Sequence, residues 1–389
     1  MSKLLLFLLL LSSVICFSQS YKKIHGRAIV IDTHNDVMIS ILNGLNIESD
    51  LSGKTHSDIS RFKKGGVDIQ VFSIWSDERY GMGKGFNYAN RQIDSLYAIV
   101  NRNPGKMMIV KNPADFIQAV KQKKLGAMMG LEGGHMIEDN LQYLDSLYKR
   151  GVRYMTLTWN NSTSWATSAM DETTKKDSLQ HKGLNDLGKK VVKRMNELGM
   201  LVDLSHVGEQ TFWAAIHTAT KPVLVSHSCV YNLCPHRRNL KDEQIKAVGK
   251  NGGVIHLNFY SGFLDSSYEK RKAEFSLKHT RELDSVKALG WASFEVDFWL
   301  AKRYPQEMQY LRPPLSLLLD HLDYIVKLIG VDHVGLGSDF DGVESTPHGL
   351  DDVSCFPIIT RSLRERGYSK KEIRKILGEN FIRVFTANQ

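Results

Sequence analysis

The residues of this chain that could do chemistry lie in short clusters, each closing an apolar run. Ile29-Val30-Ile31-Asp32-Thr33 closes in His34-Asn35-Asp36. Side chains alternate along a strand, so residues two apart point the same way. His34 and Asp36 can therefore reach one ion together, and imidazole with carboxylate suits a divalent metal such as zinc. Further on, Gly130-Leu131 closes in Glu132-Gly133-Gly134-His135 and Leu157-Thr158 in Trp159-Asn160-Asn161. Asp203-Leu204 closes in Ser205-His206, Val225 in Ser226-His227-Ser228, and Gly337 in Ser338-Asp339-Phe340-Asp341. A single His behind an apolar run is usually structural. His34, Asp36, Glu132, His206 and His227 at four such ends, with Asp339 at another, make a constellation.

The chemistry follows from the residue types. Two metals about 3.5–4 Å apart need a bridging carboxylate and a bridging water. Glu132, followed by glycines that permit close approach, is placed for the bridge. His34 and Asp36 would complete one metal, and His206 with His227 the other. A hydroxide held between two cations is a nucleophile at neutral pH, because the metals lower its pKa. Asp339 is then free to accept a proton from the water and later donate one to a leaving amine.

These residues need a scaffold that brings strand ends together. Strand candidates run over Ala28–Thr33, Val67–Ser73, Gly126–Leu131, Val152–Thr158, Met200–Leu204, Pro222–Ser226, Gly253–Asn258 and His333–Gly337. Helical periodicity fills the gaps, most clearly at Asn87–Asn101, Ala114–Lys123, Asn185–Leu198, Glu209–Thr218, Ser316–Ile329 and Lys370–Val384. Alternating strands and helices imply a parallel sheet, and eight such units imply a closed (β/α)8 barrel with its active site at the carboxyl ends of the strands. An open doubly wound sheet is the alternative, disfavoured because no Gly-rich phosphate fingerprint follows the first strand. Two stretches exceed a minimal barrel. Ser162–Lys182 is polar and reads as a loop that could form a lid; Ser266–Pro305 is highly charged and reads as an extra helical excursion.

The chain has 389 residues, 42% hydrophobic and 24% charged, which suits one large folded domain over residues 21–389. Residues 1–20 read as a signal peptide: Lys3, an apolar run from Leu4 to Cys16, then Ser18, Gln19 and Ser20. Export to the periplasm or the outside follows. A lipoprotein at Cys16 is disfavoured by the bulky Ile15 before it. No other run could span a bilayer. The net charge of +9 is spread and interleaved with acids, which argues against nucleic acid as a partner. Cys229, Cys234 and Cys355 are no disulfide framework, although Cys229 and Cys234 are near enough in sequence to pair.

Taken together, the motifs resemble the membrane (renal-type) dipeptidases, the M19 metallopeptidase branch of the amidohydrolase superfamily. The resemblance is carried by His34-Asn35-Asp36, Glu132-Gly133-Gly134-His135, Ser205-His206, Ser226-His227-Ser228, Arg237-Arg238-Asn239 and Gly337-Ser338-Asp339-Phe340-Asp341-Gly342, in order along the chain. It implies a dizinc barrel that hydrolyses dipeptides, including those with a C-terminal D-residue. Glu132 would bridge the zincs, His34 and Asp36 would hold one, and His206 and His227 the other. Arg238 would pair with the substrate carboxylate, as a guanidinium fork suits. Asp339 would be the catalytic aspartate. Trp159 departs from the pattern, standing where the family's mammalian members carry a substrate-contacting His, and Asn160 could replace that polar contact. The chain also lacks the hydrophobic C-terminal anchor tail, so a soluble exported enzyme is expected. The dimer state stays open, as does the metal, with manganese or cobalt as alternatives to zinc.

Two rival readings remain at this level. One is another amidohydrolase acting on a lactone, a phosphotriester or an N-acyl amino acid; many of those bridge their metals with a modified lysine at the fourth strand, and none is present there. The other is a binding protein with an idle barrel, which an intact ligand set argues against.

Overall fold

Apolar, β-branched runs flanked by Gly and polar residues become the strands of the computed structural model, which describes residues 21–389. The expected signal peptide at residues 1–20 lies outside the described residues. The strands are β1 (Ile31–Asp32), β2 (Ile69–Trp75), β3 (Met107–Ile109), β4 (Leu125–Glu132), β5 (Val152–Thr156), β6 (Leu201–Asp203), β7 (Leu224–Val225), β8 (Val254–Leu257) and β9 (Val334–Leu336). All pairings are parallel, in the order β1-β2-β4-β5-β6-β7-β8-β9. The ends of this path meet: Thr33 N donates to Leu336 O at 3.3 Å and Asp36 N to Phe340 O at 2.9 Å. An eight-stranded parallel sheet closed in this way is the expected (β/α)8 barrel. The eight expected strands are its staves. The three-residue β3, not anticipated, pairs with β4 off the main path.

Helices with one apolar face cover the barrel. Gly85–Arg102, Pro113–Gln122, Asp186–Leu198, Glu209–Thr218 and Leu315–Ile329 stand where periodicity placed them. The expected helix at Lys370–Val384 is Lys370–Arg374, one π-helical turn at Lys375–Glu379, and Asn380–Asn388. Caps mark the starts. Asn185 Oδ1 accepts from the N–H groups of Leu187 and Gly188, and Asn112 caps Pro113–Gln122. The barrel interior is apolar toward one end, where Ile31, Ile69, Met128, Leu201, Leu224 and Val254 pack with Phe381 and Phe385. Among the described residues no helix is long and apolar enough to cross a membrane.

Two expectations change, and a third is sharpened. Ser162–Lys182 is more than a polar loop: Trp165, Ala166, Thr167 and Ser168 are buried, and Ala169–Thr174 is a helix capped by the Ser168 side chain. Most of its Ser and Thr hydroxyls make internal bonds, as when Ser168 Oγ donates to Asn160 O at 2.7 Å. The charged excursion is indeed helical, over Tyr268–Lys278, Thr280–Lys287 and Ser293–Arg303, followed by Pro305–Leu311, and this segment lines the cavity far more than Ser162–Lys182, from which Met170 alone reaches it. Cys229 and Cys234 do not pair. Both are buried free thiols, donating to Asn258 O and Gly262 O respectively, and burial pushes the Cys234 thiol up to about 11.

Candidate active site

Strand geometry gathers the candidate residues at one end of the barrel. His34 and Asp36 follow β1, Glu132 is the last residue of β4, His206 follows β6, His227 follows β7 and Asp339 follows β9. The turns that deliver them are tight: His206, Asp339 and Asp341 have positive φ of 65°, 61° and 68°. Such backbone costs about 1–3 kcal/mol per residue and persists where the surroundings over-determine it. Gly342 leaves the room. A Cβ there would lie 2.2 Å from Asp36 Oδ2 and 2.5 Å from Asp339 Oδ1.

Glu132 is the hub. Its Oε2 lies 3.1 Å from His34 Nε2 and accepts from Ser73 Oγ at 3.1 Å. Its Oε1 lies 2.9 Å from His206 Nε2 and 3.5 Å from His227 Nε2. One carboxylate thus turns one oxygen to the His34 side and the other to the His206–His227 side. Asp36 Oδ2 and Asp339 Oδ1 lie 3.4 Å and 4.0 Å from His34 Nε2.

The outer nitrogens of the three imidazoles are each matched to an oxygen. Tyr154 donates its hydroxyl to Thr33 O at 3.1 Å, so its oxygen, 2.7 Å from His34 Nδ1, is free to accept there. Ser226 Oγ donates to Asp203 Oδ2 at 2.6 Å and lies 2.8 Å from His227 Nδ1. His206 Nδ1 lies 3.2 Å from the amide oxygen of Asn160. In that arrangement the Nδ1 protons point outward and the Nε2 lone pairs converge. His206 Nε2 and His227 Nε2 are only 3.1 Å apart. Bare lone pairs at that distance, facing a carboxylate, repel unless a cation lies between them. Asp36 Oδ1 is buried with no hydrogen-bond partner, a further donor atom waiting for a cation. The donor set of imidazole and carboxylate fits divalent metals of the zinc type.

Electrostatics agree. Burial pushes His206 down to about 3, with Arg238 adding to the effect, and holds His227 well below its usual value; both imidazoles are neutral, the metal-binding form. Burial opposes charge on His34 as well, but Tyr154, Glu132 and Asp36 around it hold its pKa well above the ordinary value. Burial would raise Glu132, yet the charge of His34 beside it and the imidazole surroundings keep it well below the usual carboxylate range. Positive charge is therefore favoured beside Glu132. Burial, with Asp36 and Glu132 nearby, raises Asp339 well above the carboxylate range against the pull of His34, and Asn258 Nδ2 donates to its Oδ2 at 2.7 Å.

A cavity of about 1520 Å³ opens over this centre. Arg238 lines it and is only 6% exposed. Its guanidinium reaches Ser228 Oγ at 3.4 Å and His227 O at 3.5 Å, and lies over the Phe263 ring. Among the described residues it has no carboxylate partner within ion-pair distance. Arg237 also lines the cavity, in an exposed position. Trp159 sits at the rim, its ring 6.4 Å from that of His206. Asn160, expected as a polar contact for substrate, lines the cavity and turns its side-chain oxygen to His206. His135 stands apart: its Nε2 is 2.9 Å from Ser76 Oγ, and burial lowers it to about 4.

Sequence reasoning missed the supporting residues. Tyr154 crosses from β5 to His34 over Gly130, where a Cβ would lie 2.0 Å from the tyrosine ring. Asp203 accepts from Thr156 Oγ1, Ser226 N and Ser226 Oγ, and so fixes the strand end that carries His227. Polar residues inside otherwise apolar strands were the available signal.

Comparison with known proteins places this geometry. The family model for the membrane dipeptidases (peptidase family M19) matches residues 18–389. A Schizosaccharomyces pombe protein described as uncharacterized dipeptidase C965.12 is 30% identical over 390 residues, covering 94% of this chain and 82% of that protein. The fold is shared with the probable dipeptidase PvdM from Pseudomonas aeruginosa, at 22% identity and TM-score 0.75 over 96% of this chain and 98% of that one. It is shared too with a metallo peptidase from Rhodobacter sphaeroides liganded with a phosphinate mimic of the dipeptide L-Ala-D-Ala, at 22% identity and TM-score 0.74 over 93% and 100%. This chain belongs to the membrane dipeptidase family, peptidase family M19, and is a metallo-dipeptidase.

Proposed function

We propose that this enzyme is exported, holds two divalent ions, zinc foremost, and hydrolyses small dipeptides with a free C-terminal carboxylate, those with a C-terminal D-residue included. The observation that carries the reading is Glu132, whose two oxygens face separate groups of imidazole nitrogens. In the proposed assignment Glu132 would serve both ions, with His34 and Asp36 holding one and His206 and His227 the other. When bound, the ions supply Lewis acidity for the scissile carbonyl and a water of lowered pKa. The L-Ala-D-Ala mimic on the Rhodobacter sphaeroides relative supports the D-residue, and the leader-like residues 1–20 support export.

The chain's own residues do the rest. Arg238, buried and without a carboxylate of its own, is placed to pair with the substrate carboxylate and fix its register. Asp339 accepts the proton of the attacking water at Oδ1 and passes it to the leaving amine, while Asn258 holds Oδ2. Tyr154, Ser226 and Asn160 keep the imidazoles turned inward. The test is an assay of the purified mature protein against L,L and L,D dipeptides, with metal analysis of the same sample. Hydrolysis with about two divalent ions per chain is expected, and full activity in a metal-free preparation would overturn the scheme.

A further inference from the structure

Three rings from distant parts of the chain meet at the cavity rim. Trp75 closes β2, Trp159 follows β5, and Phe294 stands in the first turn of the excursion helix Ser293–Arg303. Trp75 and Trp159 have centroids 5.0 Å apart at 71°, Trp75 and Phe294 5.6 Å at 88°, and Trp159 and Phe294 6.2 Å at 88°. Each pair is edge-to-face, the arrangement aromatic quadrupoles favour. All three line the cavity and each is only partly buried, so ring surface remains open to it.

The wall has a definite position relative to the substrate. In the closed strand order β2 is second and β7, which leads to Arg238, is sixth of eight, so they face each other across the barrel mouth. Glu132, at the end of β4, and His206, after β6, lie on the path between. A dipeptide with its carboxylate at Arg238 and its scissile carbonyl at the Glu132 cluster points its N-terminal residue at the β2–β5 side, where the rings are. The wall offers that residue no unpaired charge. Glu295, beside Phe294, is spent on Arg79 at 3.1 Å and on the N–H of Ala292 at 2.6 Å. The helix carrying Phe294 is fixed by Asp297, whose carboxylate accepts from Lys272 at 2.9 Å while Lys272 also reaches Glu344 at 2.6 Å.

We propose that Phe294, with Trp75 and Trp159, forms the subsite for the side chain of the substrate's N-terminal residue and selects large apolar and aromatic side chains there. This rests on the dipeptide reading above and adds a specificity determinant supplied by the excursion. The test uses the metal-replete full enzyme with Phe-Ala, Leu-Ala and Gly-Ala, and with Ala-Phe and Ala-Gly as the reversed pair. The parent should favour Phe-Ala over Gly-Ala in kcat/KM by on the order of tenfold or more. Phe294→Ala should lower that ratio by about tenfold, mainly through KM, and leave the Ala-Phe to Ala-Gly ratio within about twofold. Phe294→Leu, which keeps apolar bulk in case the Ala variant folds poorly, should retain the preference for Leu-Ala and weaken that for Phe-Ala. Cleavage of the whole panel with no N-terminal preference in the parent, or a Phe294→Ala change in the reversed pair instead, overturns the subsite and leaves the dipeptidase reading standing. No cleavage of any member overturns both.

Discussion

The floor and the mouth of the active site are built on different principles. On the floor, the candidate side chains leave strand ends, and several are oriented by a second polar group that is itself bonded: His34 by Tyr154, held on Thr33; His227 by Ser226, held on Asp203; and Asp339 by Asn258, held on Tyr260 N. Strained backbone at His206 and Asp339 is held in place by that bonding. At the mouth, the excursion between β8 and β9 meets the barrel through rings and ion pairs, several of them open to solvent. Leu277, Leu289, Trp291 and Tyr310 are exposed on it. The difference teaches a division of labour. In the proposed scheme the barrel fixes where bonds break, and an added segment decides what reaches them.

The largest effect expected is on the floor. Glu132→Gln keeps the shape but takes away the charge that serves both groups of imidazoles. Both ions should be lost together and kcat/KM should fall by on the order of 10³-fold or more, checked by metal analysis and assay of one sample. Loss of one ion alone would show that the bridge is assigned wrongly. Next comes Asp339→Asn, which cannot take a proton at neutral pH. General acid–base catalysis is worth roughly 10²–10⁴-fold, so kcat should fall by that order while KM moves little. The acidic limb of the kcat profile should flatten, because a base with a raised pKa is lost as the pH falls through it. If kcat stays within about threefold, the proton passes through another group, and Asp341 is the next to test.

Arg238 stands between floor and mouth. Arg238→Ala should raise KM for free dipeptides by on the order of 10–100-fold, through loss of a buried charge pair. Amidated dipeptides should be poor substrates of the parent and no worse in the variant. Equal losses on both would mean a folding defect.

How much of this was legible in the sequence follows the same division. The strands that form the barrel are short and apolar, and their ligand-type residues follow immediately, so local pattern alone located the floor. Tyr154 was hidden because its role depends on Gly130 in a neighbouring strand. Asp203 was visible only as a strand end, since its partner Ser226 is distant in sequence. The three-residue β3 is too short to carry a period. The mouth was least legible. Helicity of the excursion shows in its charge pattern, but its docking depends on Phe294 meeting Trp75 and Trp159, and no local spacing encodes a contact across so much chain. Ser162–Lys182 read as a loop because it is polar and rich in Ser and Thr; here Thr163, Thr167 and Ser168 bond inward beside buried Trp165.

The smallest effect expected belongs to the outermost tie of the excursion. Arg79 bridges Asp77, after β2, and Glu295 in the excursion helix at 3.1 Å, with its own side chain 55% exposed. An exposed pair of this kind is worth about 0–1 kcal/mol, because water screens it and two long side chains lose freedom to form it. The Phe294 ring contacts and the Lys272 pairs with Asp297 and Glu344 remain when Arg79 is removed. Arg79→Ala should therefore shift Tm by no more than about 3 °C and change kcat/KM by less than about threefold. The difference from the parent should shrink further at high salt, where surface charges are screened within a few ångströms. Metal content should not move at all, since no floor residue touches Arg79. A tenfold loss of activity, or loss of an ion, would show that the excursion's outer ion pair governs the floor, and the separation of binding centre from selecting rim would have to be abandoned.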